Sequence, residues 1–302
     1  MSRWWQVVDV TAWSAHALEA RGRRPKLWIE DPNRGIWLWK QPPHVDPAQP
    51  HTARRSEPAV EVLALELARR AGIPVAEAKP AIRSGAYGII SRRFHEDVEE
   101  HHPGAELLGL PSESGSGADA KQLRDEARAS ATLERVRDEL SELEQEHGVS
   151  LLEPFARMLV IDAWLGNGDR HSGNWALVTG PGRSRLAPMY DPTACLGVEL
   201  TDGRRELVAP TAEIITRYAR RCPSGFGGGI TDGRSGIPMG EVLGKLEEWP
   251  EWRTAVSELK PRIVELLATV PALIEEIPDE WLPPDRKRFA AQLLSHRVRL
   301  LP

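Results

Sequence analysis

Short apolar runs near the start of the chain predict a β-hairpin. Residues 26–40 read KLWIE, then the turn residues DPNRG, then IWLWK. Because the two runs have equal length, an antiparallel hairpin places Lys26 opposite Lys40. Alternation along the second strand puts Lys40 on the face of Leu38 and Ile36, so its ammonium group leaves an apolar surface. A phosphate-binding lysine requires such a position, and a solvated lysine at a strand end is the alternative.

A helical pattern follows this hairpin. Apolar residues recur with helical spacing from Ser56, a candidate N-cap, to Arg70. Glu61 flanks the apolar stripe, and Glu57 lies one turn earlier. A carboxylate on this helix can hold the strand lysine against phosphates. Glu61 is the expected partner of Lys40 because it lies closer to the buried side, and a solvated glutamate is the alternative.

The remaining pattern predicts an α+β, bilobal architecture. Residues 86–94, AYGIISRRF, predict a strand that leads into a hinge at Phe94. We therefore expect a small β-rich N-lobe with one helix in residues 1–95, its sheet lying between residues 20 and 95. A larger, mostly helical C-lobe should occupy residues 96–302, beginning with a mobile connection over 96–118 whose Ser/Gly-rich part, 112–117, is expected to be exposed. Helices are predicted at 119–146, 153–165, 211–221, 239–247, 252–268 and 285–300.

The segment from 166 to 191, GNGDRHSGNWALVTGPGRSRLAPMYD, carries the strongest chemical signal. Two apolar runs around a turn cluster predict a second hairpin, which makes Asn174 and Asp191 neighbours. Asp169 lies five residues before Asn174 in a glycine-containing loop. A carboxylate base beside an Asn/Asp pair of hard oxygen ligands is what Mg²⁺-dependent phosphoryl transfer requires.

Each of these residues alone would also fit an ordinary turn, and the joint spacing is what favours chemistry. His171 has two interpretations: it holds the loop through hydrogen bonds, or it contacts a nucleotide phosphate.

The same motifs carry a family resemblance. GDRHSGN followed by APMYD resembles the catalytic loop and metal-binding aspartate of HipA-like serine/threonine kinases, which are distantly similar to phosphoinositide kinases. WLWK, the helix EVLALELARRAGIPV and SRRF also follow in the order of that family. The resemblance implies a protein-kinase-like fold that binds ATP and Mg²⁺. It makes Asp169 the catalytic base and Asn174 and Asp191 the Mg²⁺ ligands.

The resemblance also places the phosphate-binding loop of the family at residues 22–26, with Gly22 and Lys26 as contacts. Several of the glycines that the family has in this loop are missing here. Lys40 would neutralise the α- and β-phosphates, and backbone near Phe94 would contact adenine.

Two other groups invite a ligand interpretation. His95, His101 and His102 can be metal ligands, but without ordered spacing we expect solvated loop histidines. The glycine cluster at 225–229 neither follows a predicted strand nor opens a predicted helix. It is therefore expected to be a flexible loop near the substrate cleft rather than a phosphate cradle.

Composition and charge narrow the partners. The chain has 302 residues, 41% hydrophobic and 27% charged, which is ordinary for a globular protein. A net charge of −5 argues against a broad surface for nucleic acid or anionic membranes. The two cysteines, Cys195 and Cys222, form neither a disulfide framework nor a metal motif. No membrane segment or signal peptide is recognised, so a cytoplasmic location is expected.

The leading hypothesis is therefore an ATP-dependent kinase acting on a serine or threonine of a protein substrate. The same fold acting on a small molecule or lipid headgroup is the second hypothesis, although charge and the missing apolar contact segment argue against a lipid. A non-catalytic nucleotide-binding module is the third. Family members that act as toxins pair with an antitoxin, so an antitoxin-like partner is possible by resemblance.

Overall fold

The N-terminal part of the chain is a sheet that carries one long helix. The computed structural model describes residues 4–19, 26–42, 56–111, 118–208, 211–229, 232–234 and 236–302. Six strands form a mixed sheet in the order β1-β5-β6-β4-β3-β2. They are β1 (Val8–Asp9), β2 (Ser14–Glu19), β3 (Lys26–Glu30), β4 (Ile36–Lys40), β5 (Ala78–Arg83) and β6 (Ala86–Arg92). Helix α1 (Glu57–Arg70) follows β4 and precedes β5 in the sequence.

The predicted first hairpin is present with its expected register, and Lys26 lies opposite Lys40. The Asp31 side chain stabilises the turn by accepting hydrogen bonds from the backbone N–H groups of Asn33 and Gly35 at 2.7 and 2.9 Å. Trp37 and Trp39 are buried on one face of β4. Lys40 therefore extends from the opposite face, as its alternation with the tryptophans requires.

Helix α1 is more deeply buried than its single apolar stripe predicted. Ser56 occupies the N-cap position, but its side chain makes no capping hydrogen bond. Buried residues surround the helix axis, from Ala59 and Val62 to Leu65 and Ala68. Because the helix is covered on nearly every side, Glu61 must share an apolar interior and needs a charged partner there.

Two boundaries of the N-terminal part were predicted wrongly. The sheet begins before residue 20, because β1 pairs in parallel with β5 and β2 pairs with β3. The mobile connection expected over residues 96–118 is wrong for residues 100–107, where β7 (Glu100–Pro103) and α2 (Gly104–Leu107) form. β7 has no apolar alternation, and it exists because β8 takes it as an edge neighbour. Residues 112–117 lie outside the described part.

The second predicted hairpin is present and is shorter than expected. β8 (Ala176–Gly180) pairs with β9 (Arg183–Leu186), so β9 ends four residues before Tyr190. One further hydrogen bond, from the N–H of Ala187 to the carbonyl of Ala176 at 2.8 Å, continues the pairing towards Asn174. The two chain ends that leave this hairpin carry Asn174 and Asp191.

The C-terminal part is helical, as expected, and packs around the apolar helix α5 (Leu152–Leu165), which contacts α9. The other helices in the described part are α3 (Ala118–Ser130), α4 (Leu133–His147), α6 (Asp202–Val208), α7 (Ala212–Arg221), α8 (Met239–Leu246), α9 (Pro250–Leu267), α10 (Val270–Glu275) and α11 (Pro284–Arg297). The described helices include none with the length and apolarity that a bilayer span requires.

Candidate active site

A loop between α5 and β8 carries the candidate base. Asp169 lies in this loop with 34% of its side chain exposed. The amide nitrogen of Asn174 donates to the backbone carbonyl of Asp169 at 2.7 Å, which ties the two ends of the loop together. The N–H of Asn174 donates to the carbonyl of His171 at 2.8 Å. Asp169 and Asn174 are therefore held in a fixed relation by the loop itself.

His171 shapes this loop from within. Its Nδ1 accepts a hydrogen bond from the N–H of Gly173 at 2.9 Å. Its Nε2 lies 3.8 Å from the Asp169 carboxylate. The first of its two interpretations, a histidine that holds the loop, agrees with these contacts, and phosphate contact stays a prediction.

Asp191 meets the N-terminal sheet at the centre of the site. Lys40 donates to Oδ1 of Asp191 at 3.0 Å, and Nζ of Lys26 lies 3.5 Å from Oδ2. Asp191 has a left-handed backbone, with φ of 54°, which is uncommon for a residue other than glycine. Two neighbouring strands of the sheet thus bring their lysines to one carboxylate of the C-terminal part.

Lys40 also contacts helix α1. Its Nζ donates to Oε1 of Glu61 at 2.6 Å, so the strand–helix ion pair predicted from sequence is present. The side chains are 13% and 2% exposed. Lys40 consequently lies between two carboxylates, one from the N-terminal helix and one from the end of the second hairpin.

Burial and charge compete at each of these groups. Burial would raise the pKa of Asp191, but the charges of Lys40 and Lys26 hold it well below its usual range. Burial would lower the pKa of Lys40, and the two carboxylates raise it above its usual value instead. Burial raises the pKa of Glu61 to about 7, since it outweighs the opposing charge of Lys40. Asp191 is thus a permanent anion at neutral pH, whereas Glu61 titrates near it.

An internal arginine supports both halves of the site. Arg170 is 1% exposed, and its guanidinium contacts both carboxylate oxygens of Asp162 at 2.7 and 3.0 Å. Its Nη1 also donates to the backbone carbonyls of Asn174 and Tyr190, the latter at 3.2 Å. Asn167 completes the cluster by donating to Asp162 at 2.7 Å. One side chain therefore joins the segment that carries Asn174 to the segment that ends at Asp191.

The hinge residue Phe94 lies at the edge of the site. Its ring stacks on Tyr190 with centroids 5.3 Å apart and planes 25° apart. Its backbone carbonyl accepts a hydrogen bond from Arg185 at 3.1 Å. Gly22, which was predicted with Lys26 in the phosphate-binding loop, lies outside the described residues. Lys26 is therefore the described end of the predicted phosphate loop.

Sequence reasoning missed Asp162, Arg170 and a third residue, Arg128. Asp162 had a recognisable signal, because it is a lone charge within the apolar run MLVIDAWL, and such a buried charge requires a partner. Arg170 is the partner, eight residues later. Arg128 lies in the last turn of α3, with Nη1 3.5 Å from Oδ1 of Asp169. Nothing local in the sequence relates it to the loop.

The predicted metal ligands fit a hard divalent cation by their chemistry. Asp191 supplies an ionised carboxylate, and Asn174 supplies an amide oxygen because its amide nitrogen is already engaged. No group of three or more His, Cys, Asp or Glu side chains is placed to hold a metal within the described ranges. A Mg²⁺ ion bound to a nucleotide takes its other ligands from phosphates and water, so two protein ligands suffice.

The N-terminal sheet and helix, with their lysine–glutamate pair facing a loop and hairpin of the helical part, form a protein-kinase-like fold. Residues 18–220, more than half of the chain, match the family described as the HipA-like C-terminal domain. The chain belongs to this family. Among the curated proteins, none matches the chain.

Solved structures support the fold. The proinflammatory kinase CtkA of Helicobacter pylori superposes with a TM-score of 0.72 at 18% identity, over 98% of this chain and 95% of that chain. A chain of the HipA–HipB toxin–antitoxin complex with operator DNA from Shewanella oneidensis MR-1 gives a TM-score of 0.51 at 12% identity, over 96% and 66%. At these identities the likeness shows the fold alone.

Proposed function

We propose that the protein is a kinase that transfers the γ-phosphate of ATP, with Mg²⁺, to a serine or threonine hydroxyl of a protein. The observation that carries this proposal is the continuous set of contacts from Glu61 through Lys40 to Asp191. It joins the nucleotide side of a kinase-like fold to its metal side. The N-lobe of this proposal spans residues 1–95, the C-lobe spans 96–302, and the location is cytoplasmic.

The lysines are the proposed phosphate ligands. Lys40 and Lys26 now neutralise Asp191, and a bound triphosphate would offer both ammonium groups new anionic partners. Glu61 would keep Lys40 aligned while Lys40 exchanges its contact with Asp191 for a phosphate oxygen. Backbone near Phe94, and the loop that contains Gly22, are the proposed contacts for the rest of the nucleotide.

The metal would be held by Asp191 and Asn174. When bound, Mg²⁺ neutralises charge on the phosphates and orients them for transfer. Arg170 holds the backbone carbonyls of Asn174 and Tyr190, which supports the backbone on which both proposed ligands are carried. His171 holds the turn of the loop between them.

Asp169 is the proposed catalytic base. It is partly exposed and lies in the loop that Asn174 closes, so an acceptor hydroxyl can reach it. Asp169 would accept the proton of that hydroxyl while the hydroxyl oxygen attacks the γ-phosphate. Family membership favours a protein as the acceptor, and an antitoxin-like partner is a further part of the proposal.

Transfer of radiolabelled phosphate from ATP tests this function. Wild-type protein incubated with Mg·ATP and a cell lysate should label protein, and acid hydrolysis should release phosphoserine or phosphothreonine. Asp169→Ala should abolish the label while ATP binding stays nearly intact, because the base acts on the acceptor. Asp138→Ala, a change at an exposed aspartate on α4, is the matched control and should transfer normally. Label found only in lipid or small molecules would assign a different acceptor, and no transfer at all would refute the proposal.

A further inference from the structure

An arginine from a distant helix lies directly beside the proposed base. Nη1 of Arg128 is 3.5 Å from Oδ1 of Asp169, and the side chains are 27% and 34% exposed. Arg128 belongs to the last turn of α3, about forty residues before the loop in sequence. The cation of Arg128 therefore lies beside the carboxylate that the proposed function assigns as the base.

Backbone contacts, and not only the ion pair, fix the end of α3 at this place. The N–H of Gly227 donates to the carbonyl of Ala131 at 3.0 Å, and the N–H of Gly229 donates to the carbonyl of Ala129 at 2.9 Å. A Cβ atom on Gly227 would collide with the carbonyl oxygens of Arg128 and Ala129. The close approach of the two backbones therefore requires glycine.

The same glycine segment touches the catalytic loop. A Cβ atom on Gly225 would collide with the backbone of Arg170, the residue that follows Asp169. The segment 225–229 thus lies between the end of α3 and the loop, in close contact with both. The segment is a loop beside the catalytic loop, as expected from sequence, but these contacts and the burial of Phe226 hold it in place.

Distances place the transferring phosphoryl group within reach of Arg128. A base oxygen lies about 2.6–3.2 Å from the hydroxyl that it deprotonates. That hydroxyl oxygen approaches phosphorus to about 3–3.5 Å before reaction. Arg128 and the phosphoryl group would then both lie within roughly 6 Å of the same carboxylate.

We propose that Arg128 is a catalytic residue that contacts the phosphoryl group during transfer. In that step the acceptor oxygen forms its bond to the γ-phosphorus, and the bond from this phosphorus to the β,γ-bridging oxygen breaks. The electron pair of the broken bond leaves with ADP, and the hydroxyl proton passes to Asp169. Arg128 stabilises the charge spread over the equatorial oxygens. Its departure from Asp169 also frees the carboxylate oxygen that must accept the proton.

This inference rests on the proposed function, and a binding experiment separates the two. Calorimetry with Mg²⁺ and ADP, alone and with aluminium fluoride, compares a product complex with a mimic of the transferring phosphoryl group. Arg128→Ala should bind Mg·ADP as wild type does, and lose about 10²-fold in affinity for the fluoride complex. Lys121→Ala is the matched control, since Lys121 lies on the same helix and pairs with Asp125 on the exposed side.

A transfer assay supplies the second readout. Arg128→Ala should lower kcat about 10²-fold with little change in the KM for ATP, and added guanidinium chloride at low concentration should restore part of the loss. An arginine that only held the loop would affect ADP binding or resist rescue, so either result overturns the role of Arg128. Unchanged affinity for the fluoride complex would overturn it as well. If wild-type protein binds Mg·ADP but neither binds the fluoride complex nor transfers phosphate, the proposed function itself fails.

Discussion

Two buried ion pairs lie on opposite sides of the site, and they are built differently. Lys40 and Glu61 join a strand to a helix in the N-terminal part, with 2.6 Å between their charged atoms. Arg170 and Asp162 join the loop between α5 and β8 to α5 in the helical part, at 2.7 Å. The distances are nearly equal, but the surroundings of the two cations are not.

Arg170 is satisfied entirely by the protein. It uses two nitrogens on Asp162 and directs the third to two backbone carbonyls, with 1% of the side chain exposed. Four of the five N–H donors of this planar guanidinium are engaged by fixed partners, and the side chain is buried, so Arg170 is not open to a ligand. Its role is therefore to hold the loop and the hairpin end in register.

Lys40 contacts two carboxylates and keeps 13% of its side chain exposed. An ammonium group is a point charge whose donors rotate, so one carboxylate can be exchanged for a phosphate oxygen while the other stays. The helical part therefore supplies a rigid support, whereas the sheet supplies a cation that can exchange one of its two partners.

The largest effect is expected on stability at Arg170. Arg170→Met leaves the charge of Asp162 buried without its partner and should destabilise the fold by about 3–5 kcal/mol. Adding Asp162→Asn removes that charge and should recover part of the loss. Urea denaturation measures both. Arg157→Met is the control, because Arg157 lies on α5, the helix that carries Asp162, and pairs with Glu258 at the surface. This substitution should cost no more than about 1 kcal/mol of stability. Equal costs at Arg170 and Arg157 would contradict a supporting role.

Lys40 should behave in the opposite way. Lys40→Met should reduce kcat by about 10²-fold, which corresponds to roughly 2.7 kcal/mol, while stability changes much less than at Arg170. Glu61→Gln disturbs the same phosphate alignment, so the double variant should be scarcely slower than Lys40→Met alone. Steady-state kinetics of all three variants provide the measurement. Fully additive losses would show that the two residues act independently, and Glu57 would then be the next carboxylate to examine.

A third effect is a pH dependence of stability that arises from Glu61. Its pKa is about 7 in the folded chain against 4.5 for the ordinary group, so folding favours the protonated form. The contribution of Glu61 to the free energy of unfolding therefore has its full value below about pH 4.5, and it is lost as the pH rises through 7. Glu61→Gln should gain stability relative to wild type between pH 5 and pH 8. Urea denaturation at both pH values tests this, and a difference that stays constant would remove Glu61 from the titration.

Local patterns were enough to predict much of the site. Equal apolar runs around a five-residue turn gave the register of Lys26 and Lys40, and helical spacing placed Glu61 on the correct turn of α1. The turn cluster between two apolar runs predicted the second hairpin, and Asn174 and Asp191 lie on the two chain ends that leave it. These elements are set by short-range geometry, which a single sequence contains.

Elements that depend on distant partners could not be predicted. β7 forms only because β8, more than seventy residues later, offers it a neighbour. Arg128 meets Asp169 because glycines about a hundred residues beyond it fit against two backbones at once. Neither feature has a local period, so the sequence alone contained no signal for them.

We propose above that Asp191 and Asn174 hold the metal of a bound nucleotide. Calorimetry of ATP binding with and without Mg²⁺, in wild type and Asp191→Asn, measures this most directly. An anionic ligand binds Mg²⁺ more strongly than a neutral amide, so the variant should lose most of its affinity for Mg·ATP and little for metal-free ATP. We expect Mg²⁺ to raise the affinity of the wild type for ATP, and we expect this gain to disappear in Asp191→Asn. Equal losses with and without Mg²⁺, or a wild type whose binding ignores the metal, would contradict it.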